Sequence, residues 1–172
     1  MKEKNNSSLL LAAVFVVLGL LTRFILVIPN FSPIISIALF SGVFFADKRI
    51  AFLIPVITMF ISDIFIGLHS TMIATYLSFA LIAIIGIKIK TVNVKSVLLS
   101  SIGGAVLFFI VTNFAVWCEG WYGYTFAGLV TCFEAAIPFF RNTLASSLFY
   151  SVILFGGYYL AEKYLLKVAK AS

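Results

Sequence analysis

The chain has 172 residues, of which 63% are hydrophobic and only 10% charged, with a formal net charge of +6. Soluble domains draw about a quarter of their residues from Asp, Glu, Lys and Arg, so this composition excludes a soluble globular protein. It points to an integral membrane protein with a single membrane domain over 1–172, whose positive charge reflects cytoplasmic loops and not nucleic-acid binding.

The polar start MKEKNNSS precedes an apolar run over 9–28, which is spanning length at ~1.5 Å per residue. No small-residue cleavage site followed by a polar segment ends it, so a retained first helix is predicted and not a cleaved signal peptide. Pro29, Asn30 and Pro33 then break the chain. A short second helix is predicted over 34–46, ended by Asp47, Lys48 and Arg49. The third helix, 50–66, has a kink expected at Pro55 and carries Asp63 near its far end. The turn Gly67–Ser70 holds the only histidine, His69, and leads to a fourth helix over 71–87. A basic loop with Lys88, Lys90 and Lys95 leads to a fifth helix over 97–116. An outer connection, in part helical, is expected over 117–142, and a sixth helix over 143–165 precedes a basic tail.

Charge gives an independent test of this count. Six spans place both termini and the loops after helices 2 and 4 on one side. That side receives Lys2, Lys4, Lys48, Arg49, Lys88, Lys90, Lys95, Lys163, Lys167 and Lys170, ten of the 12 basic residues, while Arg23 and Arg141 fall on the other. By the positive-inside rule both termini are cytoplasmic. The expected class is an all-α, six-span protein of a bacterial inner membrane, with the lipid bilayer as its first partner.

The remaining ionisable groups then collect at the outer side: Arg23, Asp63, His69, Glu119, Glu134 and Arg141. A charge inside the apolar zone costs about 2.5–3.5 kcal/mol on insertion scales, so such residues tend to face protein, water or substrate. Asp63 could pair with Arg23 or Arg141, cap the Gly67 turn, or contact a substrate. Glu134 and Arg141 stand two helical turns apart and could pair. Asn113 and Asn142 bracket the outer connection, and buried amides need partners. Trp117, Trp121, Tyr122 and Tyr124 form either an interfacial aromatic belt or a lid that stacks on a flat organic ligand.

Other patterns limit the chemistry. There is no P-loop, GxSxG or HExxH, so no enzyme is expected. Cys118 and Cys132 have neither CxxC spacing nor a histidine partner, so no metal site is expected, and no cofactor is implied. Whether the two thiols pair is left open. Small residues at four-residue spacing, Ala38–Gly42–Ala46 above all, let helices approach closely, either within the chain or against a partner.

The segments NFSPIISIALFSG, SDIFIGLHSTM, TNFAVWCEGWY and AAIPFFRNTL resemble a bacterial family of small six-helix membrane proteins, labelled as transport proteins, S-component-like or MreD-like. The wider similarity is to S components of energy-coupling factor (ECF) transporters. That resemblance implies an S-component-like bundle with a vitamin site near the outer face, under the loops after helices 1, 3 and 5. Residues Arg23, Asn30, Asp63, His69, Asn113, Trp117, Glu119, Trp121, Tyr122, Glu134, Arg141 and Asn142 would then contact the substrate. It also implies an ECF transmembrane coupling subunit with its ATPases as partner. Helix 1 has Ala12, Ala13 and Gly19 but no alanine-x-x-x-alanine pair, so docking would use Ala38, Gly42 and Ala46, or the protein would act alone.

Two functions follow as expectations. The first is a substrate-binding subunit for uptake of a small vitamin-like molecule; cobalamin is one candidate, because a lone histidine could ligate its cobalt. The second is a non-catalytic scaffold of the cell-envelope machinery, whose outer polar residues pair only with each other.

Overall fold

The computed structural model describes residues 6–25 and 28–168, without the side chains of Asn6, Ser8, Arg23, Ile66 and residues 165–168. The expected charges at Lys2, Lys4 and Lys170, and the side chains of Arg23 and Lys167, lie outside the described residues.

The described chain is helical, with no strand: α1 (Asn6–Ile25), α2 (Ile34–Phe44), α3 (Lys48–Ile66), α4 (Met72–Lys88), α5 (Val94–Cys118), α6 (Phe126–Ser151) and α7 (Gly157–Val168). A π-helical turn, Val152–Gly156, joins α6 to α7 without breaking the helix, so six rods are present. Two of them, Val94–Cys118 and Phe126–Tyr164, are long and apolar enough to cross a membrane.

Caps set several boundaries. The Asp47 side chain accepts from the Arg49 N–H at 2.8 Å and starts α3 two residues before the expected position. Asn93 and Ser96 form a reciprocal capping box that starts α5 at Val94.

The sixth helix differs most from expectation. It begins at Phe126, not at 143, because the Thr125 hydroxyl accepts the Gly128 N–H at 3.0 Å and caps it. Pro138 sits inside the helix without ending it. The outer connection of 117–142 therefore shrinks to a turn over 119–125, and Glu134, Arg141 and Asn142 become helical residues.

Helix α2 is the centre of the bundle. Its sequence is apolar all round, the pattern of a fully buried helix, and ten of its 11 residues are buried. It meets α4 backbone to backbone: a Cβ on Gly42 would collide with the carbonyl of Ala83, and one on Gly86 with the carbonyl of Leu39. The Ala38–Gly42–Ala46 stripe is thereby corrected as a partner-docking face. Ala38 and Gly42 are inside the molecule against α4, and only Ala46 is exposed.

A chain of buried serines fixes α2 on its other side. Ser101 donates to the Ser151 hydroxyl at 2.7 Å, Ser151 to the Ser36 hydroxyl at 3.0 Å, and Ser36 to the Ser147 carbonyl at 2.9 Å. Three rods, α2, α5 and α6, are thus tied by hydrogen bonds whose loss in a dry interior costs about 1–3 kcal/mol each. At its C-terminal half, Phe40 and Phe44 lie 4.4 Å apart by ring centroid and pack against Phe155 and Tyr158.

The contact between α2 and α4 gives a direct test. Gly86→Ala must push the two backbones apart and should lower stability by about 1–3 kcal/mol, read as a lower thermal midpoint of the purified protein. Gly103→Ala, where a Cβ meets open space, should leave the midpoint unchanged or slightly raised. Equal effects at the two positions would contradict the packing.

Candidate functional site

The shortness of α2 creates the site. Its 11 residues rise only ~16 Å, against ~37 Å for the 25 residues of α5. The first turn of α2 is level with Gly104 of α5, since a Cβ there would lie 3.2 Å from the Ile35 side chain. From Gly104 to Cys118, α5 rises a further ~21 Å. The space left above the start of α2 is a cavity of about 560 Å³.

Among the described residues every rod except α1 supplies lining. The 28–33 loop and the start of α2 form one side, with Asn30, Phe31, Ser32, Ile34 and Ile35. Met59 of α3, His69 and Thr71 of the following turn, and Thr75 and Phe79 of α4 form the next. Phe108, Phe109, Thr112, Asn113 and Val116 of α5 face Ala136, Phe139, Phe140, Thr143 and Ser146 of α6. The loop after α1, the turn after α3 and the last turns of α5 thus share one end of the bundle. Among the described residues the lining holds six phenylalanines, several hydroxyls and amides and one imidazole, and no Asp, Glu, Lys or Arg.

Among the expected site residues, Asn30, His69 and Asn113 line this cavity. Asn30 takes a left-handed backbone, φ 57°, which asparagine tolerates. Asn142 sits behind the loop and donates to the Pro29 carbonyl at 3.0 Å, pinning loop to helix. Asp63 does not reach the cavity. It is 1% exposed, accepts from the Tyr76 hydroxyl at 2.8 Å, and lies 3.8 Å from His69 Nε2. The other ring nitrogen of His69, Nδ1, is 3.0 Å from the Thr71 hydroxyl, so Asp63 and Thr71 together orient the imidazole.

The aromatic lid is not formed over the cavity. The Trp117 indole donates to the Gly123 carbonyl at 3.0 Å, and the Trp121 indole to Glu119 Oε2 at 2.9 Å. Tyr124 donates to the Cys118 carbonyl at 3.3 Å, and Tyr122 is exposed. These bonds hold the 119–125 turn together, which is why its aromatics do not lean inward. Glu134 borders a shallow apolar groove with Phe133 and Ile137 on the flank of α6. Arg141 is exposed, and no ion pair joins it to Glu134 among the described residues. Both thiols are free; Cys132 is buried and donates to the Asn113 carbonyl at 3.4 Å.

Sequence reasoning passed over the phenylalanines and the threonines of the lining. The usable signal was Thr75 and Thr112, each a hydroxyl within an apolar helix and within two turns of the end that carries the expected cluster; Thr143 lies much deeper along α6.

The fold and site define a class: an all-helical bundle of six rods with a neutral, phenyl-lined cavity at one end. Residues 3–169 match the model of DUF6580, a family of unknown function, and the chain belongs to that family. No curated protein and no solved structure matches it.

Removing the Tyr76 donor should show how firmly the Asp63 site is held. Hydrogen bonds to a carboxylate contribute about 1.5–3 kcal/mol, so Tyr76→Phe should destabilise the protein by that amount in thermal or denaturant unfolding. Trp121→Ala, which breaks only an exposed contact, should change stability by less than about 0.5 kcal/mol. A silent Tyr76→Phe would contradict the geometry.

Proposed function

We propose that this chain is a six-span membrane protein of a bacterial inner membrane that binds one small organic molecule in its outer cavity, as the substrate-binding subunit of an uptake transporter. The cavity carries this reading. Its ~560 Å³ lies within the range of about 300–1,000 Å³ that encloses a drug-sized ligand. It is built mainly of rings with a few polar groups, the usual balance of affinity and orientation in such sites.

Three features support the membrane. Large apolar side chains are exposed along every rod except the central α2, from Leu10 and Val17 on α1 to Leu160 on α7, a surface suited to lipid. The described cations other than Arg141, namely Lys48, Arg49, Lys88, Lys90, Lys95 and Lys163, belong to the end opposite the cavity, in line with the positive-inside rule. The irregular 28–33 backbone lines the cavity, the kind of setting in which non-helical chain is tolerated at membrane depth.

In this reading the ligand enters from the outer side and its rings pack on the phenyl walls. Beneath it, the Phe40–Phe44–Phe155–Tyr158 cluster closes the route to the cytoplasmic side. The cavity's size favours a molecule of one or two fused rings over a corrinoid such as cobalamin, which such a space would not enclose. A coupling subunit would have to dock on a face other than the buried Ala38–Gly42 stripe.

The test is native mass spectrometry of gently released protein. A small molecule should travel with the wild type and with Trp121→Ala, and be lost from Ala136→Trp, which fills the cavity without removing a hydrogen bond. If Trp121→Ala loses the guest while a folded Ala136→Trp keeps it, the site is elsewhere. If the wild type is empty and folded, the scaffold reading takes its place.

A further inference from the structure

The polar groups of the cavity differ in what they can still offer a guest. On α5 and α6 they are committed as donors to their own helices. Thr112 donates to the Phe108 carbonyl at 2.7 Å, Thr143 to that of Phe139 at 3.1 Å, and Ser146 to that of Thr143 at 3.0 Å. The Asn113 amide nitrogen donates to the Phe109 carbonyl at 2.7 Å. A hydroxyl has one proton and two lone pairs, so this wall presents mainly accepting oxygens.

The floor has the opposite character. Ile34 and Ile35 of the first turn of α2 line the cavity. The N–H groups of a first helical turn have no partner within their own helix and carry the positive end of its dipole. Pro33 supplies no side-chain cap, and Ser32 Oγ reaches the Ile34 N–H only at 3.5 Å. Between wall and floor stands Thr75, 4% exposed and lining the cavity, whose hydroxyl has no hydrogen-bond partner among the described residues. That hydroxyl opens on the cavity, where it can donate to a guest or accept from one.

Neither sign of charge suits both faces of the cavity. An anion would meet the lone pairs of the α5–α6 wall and the negative faces of the phenyl rings. A cation would meet the α2 N-terminus with no carboxylate on the lining among the described residues, since Asp63 is held behind His69. Phe79 and Phe108, both on the lining, stack on one another with centroids 5.1 Å apart and planes 21° off parallel.

Resting on the cavity-binding reading above, we infer that the guest is an uncharged, flat nitrogen heterocycle of the lactam or nucleobase type. Its N–H donors meet Thr112, Thr143 and Ser146, and its carbonyl or ring-nitrogen acceptor meets the α2 end and Thr75. Donors and acceptors alternating on one ring edge are what opposite faces of opposite character recognise.

The experiment compares four probes by thermal shift on the purified full chain at neutral pH: lumazine, 1,3-dimethyllumazine, 2-naphthoate and a naphthyl-trimethylammonium salt. Lumazine should raise the midpoint; its dimethyl form, which keeps the ring and loses the N–H donors, should not, and neither should the two ions. Thr112→Val and Thr143→Val keep the volume and remove an accepting oxygen. Each should weaken lumazine binding on the order of tenfold, the effect of one lost hydrogen bond, while Thr143→Ser should restore it. Stabilisation by the naphthoate or the ammonium salt without lumazine, or equal shifts by lumazine and its dimethyl form, would overturn the ligand class and leave the binding site standing. If no probe acts, the ligand class is overturned, and the native mass spectrum decides whether the binding function falls with it.

Discussion

The close approach of α2 to α4 is the constraint from which the rest of the structure follows. Two glycines, Gly42 and Gly86, let a helix of 11 residues lie against its neighbour at backbone distance. So buried, α2 can be apolar on all sides and need not be long. The four serines on its opposite side give it a fixed height, because Ser36 can reach Ser147 and Ser151 in only one register. Height matters more than position: it sets how far below the ends of α4, α5 and α6 the central helix begins.

That offset turns packing into a candidate site. Had α2 been two turns longer, its side chains would have filled the space that Phe31, Phe79, Phe108 and Phe140 now surround. The polar groups then divide by helix geometry. Threonines and serines inside long helices donate to the preceding turn and keep lone pairs free, while a helix start shows its N–H groups. A cavity between helix interiors and a helix start is therefore two-faced without any Asp, Glu, Lys or Arg on its lining among the described residues. The same arrangement leaves Asp63 inside the protein as a support for His69, where its cost is offset by the Tyr76 hydroxyl.

Much of the fold was legible. The breaks at Pro29–Pro33, Asp47–Arg49, Gly67–Ser70 and Lys88–Lys95 fell where polar or helix-breaking residues interrupt apolar runs, and the structure's helices end within a few residues of them. The start of the last rod was not legible, because Glu134 and Pro138 read as loop chemistry, while the Thr125 cap that overrides them is one residue among several polar ones. In the site, Asn30, His69 and Asn113 stood out as polar residues in apolar surroundings. Trp117 and Trp121 stood out as part of an aromatic cluster, and their indoles bond only within their own turn. The phenylalanine walls gave no signal, since 19 phenylalanines are spread through the chain. A cavity is defined by the relative height of helices, and one sequence holds no record of that height.

The most direct test of the account is which side of the membrane each end of the bundle faces. Thr71→Cys at the cavity rim and Lys90→Cys at the opposite end would each be placed in a chain carrying Cys118→Ser and Cys132→Ala. Both would be labelled with an impermeant maleimide in sealed, right-side-out membrane vesicles. The account predicts that Thr71→Cys reacts in the sealed vesicles and that Lys90→Cys reacts only after they are permeabilised. Labelling of both from the same side, or of Lys90→Cys alone in sealed vesicles, would contradict an outward-facing cavity in a membrane-spanning bundle.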